Sequence, residues 1–113
     1  MISDPDEERA CLASLPRSAR LMGLDLGTKT IGIAISDVER RIASPVETIR
    51  RTKFGKDAAA LLALAERHSI GAFVLGLPVN MDGTMGPRVQ ATTAFARNLA
   101  KLTTLPILCQ DER

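Results

Sequence analysis

At 113 residues the chain makes one small domain at most, and its 45% apolar content is enough for a core. Aromatics are only 3%, with no Trp or Tyr, so the core is aliphatic and a single-strand nucleic-acid platform of exposed rings is excluded. The formal charge of +2 is uneven: Asp4, Asp6, Glu7 and Glu8 hold four of the 13 acids, leaving 15 basic against 9 acidic side chains beyond them, a balance compatible with a polyanionic partner.

Residues 1–19 mix charge, Ser and Pro and read as a flexible or loosely helical extension; they lack the apolar stretch of a signal peptide. Leu21–Leu26 and Ile31–Ile35 flank a Gly-Thr-Lys-Thr turn and predict a β-hairpin. Ile42–Ile49 predicts a third, shorter strand, with Pro45 confined to an edge strand or to the strand's entry. Arg50, Arg51, Lys53 and Lys56 form a basic cluster around Gly55. Asp57–His68 predicts a helix with Ala58, Leu61, Leu62 and Ala65 on one face and Gly71 as its stop. Ala72–Leu77 is a continuous apolar run, hence a central strand. After a loop over 78–87, Arg88–Leu102 predicts a second helix with Ala91, Phe95, Leu99 and Leu102 inward, and Pro106–Gln110 a last strand leading into Asp111-Glu112-Arg113. The order β-β-β-α-β-α-β predicts an α/β fold: a five-stranded mixed sheet, its three leading strands antiparallel and its two later strands parallel, flanked by helices.

Asp25 interrupts the first apolar run, where the pattern predicts burial. A buried lone carboxylate is costly unless a cation neutralises it, which makes Asp25 a site candidate. Carboxylates on neighbouring strands hold magnesium well, since that ion takes carboxylate oxygens, waters and substrate phosphates. Asp25 with Glu112 or Asp111 fits such a pair; Asp82, before Gly83, also reads as a plain turn. Thr28 and Lys29 can meet phosphate or serve as ordinary turn residues. The cluster from Arg50 to Lys56 can grip a phosphate backbone or form a solvated loop. His68, the one histidine, stands at a helix end, where a capping role outweighs catalysis and leaves zinc and Ser-His-Asp chemistry little support. Cys11 and Cys109 form no close pair, and no run approaches membrane-spanning length, so a reduced, cytoplasmic protein is expected.

Three segments resemble the YqgF family, also called RuvX, of Holliday-junction resolvase-like proteins: Gly23-Leu24-Asp25-Leu26-Gly27-Thr28-Lys29-Thr30-Ile31-Gly32, Val74-Leu75-Gly76-Leu77-Pro78-Val79-Asn80-Met81-Asp82-Gly83-Thr84, and Asp111-Glu112-Arg113. The resemblance covers roughly 20–113. It implies a ribonuclease H-like fold and a nuclease dependent on magnesium or manganese, with Asp25 and Glu112 as metal-binding catalytic acids and Asp111 beside them. It implies a role at the 5′ end of the pre-16S ribosomal RNA, with branched DNA as a second substrate, and a monomer or homodimer. Lys29, Thr28, Arg50, Arg51, Lys53, Lys56 and Asn80 are the expected nucleic-acid contacts. The family continues past Asp-Glu-Arg into helices that carry a third acid. On that basis 20–113 is a C-terminally truncated domain lacking those helices, and weak or no cleavage is expected of it.

Two other readings stand beside this one. Actin-like ATPases use a similar Asp-Leu-Gly-Thr hairpin for ATP, but they need two such domains. A non-catalytic nucleic-acid-binding module needs only the basic residues.

Overall fold

The computed structural model describes residues 5–16, 18–37, 43–77 and 86–111. The chain forms α1 (Pro5–Ser14), β1 (Arg20–Leu26), β2 (Thr30–Ser36), β3 (Ala43–Arg50), α2 (Phe54–Arg67), β4 (Ile70–Leu77), α3 (Pro87–Ala100) and β5 (Ile107–Asp111). The five strands make one sheet in the order β3-β2-β1-β4-β5. The pairs β1·β2 and β2·β3 are antiparallel; β1·β4 and β4·β5 are parallel. This is the mixed sheet read from the element order.

The hairpin turn closes through the Gly27 N–H donating to the Thr30 carbonyl at 2.9 Å. A Cβ on Gly27 would stand 3.2 Å from that same oxygen, so the turn has little room for any other residue. Pro45 falls on edge strand β3, beside a register shift opposite Ile33/Ala34, where a missing N–H is tolerated.

Alternation along the strands sorts the sheet into two faces. Met22, Leu24, Leu26, Ile31, Ile33, Phe73, Leu75 and Leu77 are buried on one face. They pack with Ala58, Leu61, Leu64 and Ala65 of α2 and with Val89, Phe95, Ala96 and Leu99 of α3. Each such Leu, Ile or Phe contributes about 1.5–3 kcal/mol by leaving water.

Several local expectations shift. The stretch 5–14, read as flexible or loosely helical, contains the helix α1. Helix α2 starts at Phe54, whose ring meets Phe95 edge-on at 5.2 Å between centroids. It ends at Arg67, with Ser69 taking the left-handed turn (φ 56°) that had been expected of a glycine. Gly71 instead lies in β4, where an added Cβ would stand 2.7 Å from the Cβ of Ala19. On α3, Ala91 is exposed and Leu102 lies past the helix end at 53% exposure; Val89 and Thr92 are the buried residues beside Phe95 and Leu99.

Candidate active site on the open face of the sheet

Asp25 is exposed, which corrects the expectation of burial. Leu24 and Leu26 point under the helices, so period-two alternation sends Asp25 to the opposite face. The register then builds a row across the sheet. Thr48 pairs with Gly32, Gly32 with Asp25, and Gly76 with Gln110. Leu24 pairs with Leu75, so the next residues along, Asp25 and Gly76, stand abreast. The carboxylate therefore has a glycine on each side. These residues line a groove of about 470 Å³ together with Gly23, Ala34 and Glu47.

Among the described residues no hydrogen bond or ion pair engages the Asp25 carboxylate. Nor do three His, Cys, Asp or Glu side chains converge to hold a metal among them. A divalent ion of the magnesium type needs only one or two carboxylates, with waters and substrate phosphates completing its shell. An exposed carboxylate with glycines on both sides leaves room for that shell, so Asp25 fits one half of such a site. Asp111 is the last residue of β5 and pairs with Leu77. Glu112, Asn80 and Asp82 lie outside the described residues.

The basic residues gather at the same end of the sheet. Thr30 pairs with Arg50, and the Arg51 N–H donates to the Lys29 carbonyl at 2.8 Å, which brings the hairpin turn against the basic segment. Thr28, Lys29, Arg50, Lys53 and Lys56 are exposed. Arg51 is half-buried: its Nη1 donates to the Gly27 carbonyl at 2.7 Å, and its guanidinium lies 5.8 Å from the Phe95 ring centre. Arg88, read from sequence only as a helix start, sends Nη2 to the Leu26 carbonyl at 3.3 Å.

Buried Asp57 fastens this segment. Its carboxylate accepts from the Thr52 N–H at 3.1 Å (Oδ1) and 3.3 Å (Oδ2), and its Oδ1 accepts from the Thr52 hydroxyl at 3.1 Å. The sequence marked Asp57 only as an acid in the first helical turn. An exposed Thr five residues earlier can also be served by water, so the local sequence carries no strong signal of this contact.

A family model described as "RuvX: Holliday junction resolvase" matches residues 19–113. The chain belongs to the RuvX family. A relative from Beijerinckia indica is 67% identical over 94 residues, covering 83% of this chain and 57% of its own length. One from Ruegeria pomeroyi is 58% identical over 113 residues, 100% of this chain and 72% of its own length. Both carry the name "Putative pre-16S rRNA nuclease". The chain spans little more than half the length of some of these curated relatives. Among solved structures, RuvC of T. thermophilus in complex with a Holliday junction substrate superposes with a TM-score of 0.58. It is 14% identical, and the match covers 82% of this chain and 64% of that one. At that identity the likeness shows the fold alone: the RuvX-family sheet here has the RuvC, ribonuclease H-like arrangement.

Proposed function

We propose that this RuvX-family domain is the nuclease core of a metal-dependent phosphodiesterase that acts on structured RNA in the cytoplasm, at the 5′ end of the pre-16S ribosomal RNA. The observation that carries this reading is the exposed Asp25 carboxylate between Gly32 and Gly76, at the end of the sheet where Lys29 and the Arg50–Lys56 segment meet. The names of the relatives supply the substrate class. Branched DNA is the second substrate, in keeping with the family description.

In this reading Asp25 and Glu112 hold magnesium or manganese, which would supply Lewis-acid charge at the phosphate under attack. Glu112 is assigned as the partner acid, with Asp111 beside it, on the resemblance of the terminal Asp-Glu-Arg to the family motif. Lys29, Thr28 and the exposed cations of the Arg50–Lys56 segment orient the backbone, with Asn80 as a further contact.

Manganese titration and RNA cleavage test the assignment together. Asp25→Asn is expected to abolish measurable manganese binding and to remove whatever metal-dependent cleavage the chain shows, with the circular dichroism spectrum kept. Unchanged metal affinity and unchanged cleavage would overturn it.

A further inference from the structure

On the helix side of the same sheet end, two arginines from distant parts of the chain meet consecutive carbonyls. Arg51, after β3, donates to Gly27, and Arg88, in the first turn of α3, donates to Leu26. They line one small cleft with Gly27, Thr28 and Thr92. Each guanidinium carries five N–H donors, so one bond to a carbonyl leaves most of the fork unused. Among the described residues neither meets a carboxylate within ion-pair distance. Two positive charges thus share one cleft with no ion-pair partner among the described residues. Both are also held in place: Arg51 by the Phe95 ring and the Gly27 carbonyl, Arg88 by its helix and the Leu26 carbonyl. A guanidinium fixed in this way is pre-organised for a planar, two-point grip on a phosphate.

We propose that Arg51 and Arg88 form the seat of a single backbone phosphate of the bound nucleic acid, on the opposite side of the β1 end from Asp25. This rests on the nucleic-acid reading above and sharpens it: the strand crosses the end of the sheet, with one phosphate in the arginine cleft and another at the Asp25 groove. The Leu26 and Gly27 carbonyls that hold the arginines are one and two residues past Asp25 along the chain.

The test is binding of a fluorescent RNA hairpin to the whole chain without divalent metal, across a potassium chloride series. Arg88→Gln is expected to weaken binding about tenfold, the size of one charge-assisted hydrogen bond. It should also lower the slope of log affinity against log salt by about one, the signature of one lost phosphate contact. Arg97→Gln, at the far end of the same helix, should leave the slope at its original value. Arg88→Lys keeps the charge but cannot fork, so it should retain the slope and bind with intermediate affinity. An unchanged slope and affinity in Arg88→Gln would overturn the proposal and leave Arg88 as a clamp on the turn, visible only as a lower melting temperature. Wild-type affinity in Arg88→Lys would overturn the two-point grip. Absence of salt-dependent binding by the unaltered chain would instead defeat the nucleic-acid reading itself, and the phosphate seat with it.

Discussion

On the face under α2 and α3 stand Met22, Leu24, Ile31, Ile33 and Leu75, all buried; on the reverse, from the very next positions of the same strands, stand Gly23, Asp25, Gly32, Ala34 and Gly76. The first set is large and aliphatic and contributes stability by leaving water. The second is small apart from Asp25, so the sheet surface stays low and the Asp25 carboxylate rises above its glycine neighbours. Stability and chemistry are thereby assigned to alternate residues of the same strands, and substitutions should separate them.

The sharpest separation sets Leu75 against Asp25. Leu75→Ala removes a fully buried side chain from a central strand and is expected to cost about 2–5 kcal/mol in urea unfolding. Asp25→Asn should stay within about 0.5 kcal/mol, as surface changes do, while losing metal binding. Similar destabilisation in both would break the comparison. Asp57→Ala comes next. It strips a buried carboxylate from the Thr52 donors, with a loss of about 1.5–3 kcal/mol. Faster amide exchange is expected over residues 50–57, and unaltered exchange there would show that the basic segment is held by other contacts. Glycines sharpen the contrast further. Gly71→Ala forces a Cβ to 2.7 Å from Ala19 and should cost about 1–3 kcal/mol. Gly23→Ala, on the open face, meets nothing closer than 3.8 Å and should be close to neutral in the same melting experiment.

The smallest effect concerns the cysteines. Burial pushes the Cys109 thiol above its ordinary value of 9.0. The raised value means that the stability this thiol contributes is fully present below the ordinary value and is lost as pH climbs through the raised one. Half-buried Cys11 should therefore react with iodoacetamide well before Cys109 at pH 8. Equal rates, followed by mass spectrometry, would place Cys109 nearer solvent.

Much of this was legible in the residues. The runs at 21–26, 31–35 and 72–77 gave the inner strands because continuous apolar stretches bounded by turn residues have few other uses. The helix details were less legible. Phe95 and Leu99 fit two helical phases, and only packing against the sheet chose the one with Val89 and Thr92. Ser69 took the left-handed position that sequence reasoning reserves for glycine, which released Gly71 into β4 for a close approach to Ala19. Asp25 was marked as a candidate on the wrong ground. An acid within an apolar run reads as buried, but alternation with only one face covered places it outside. The meeting of Arg51 and Arg88 at the turn was not legible at all, since Arg88 reaches a carbonyl 62 positions earlier in the chain. No local pattern encodes such a contact.

The parallel pairing of β1 with β4 carries a consequence for how the molecule is made. The first three strands can find one another locally, as neighbours in an antiparallel meander. Their aliphatic side stays bare to water until α2 has wound and β4 has docked beside β1. A nascent chain therefore cannot complete the cover of that side until residue 77 has been made. Up to that length its exposed Met22, Leu24, Ile31 and Ile33 are the surface a chaperone would shield.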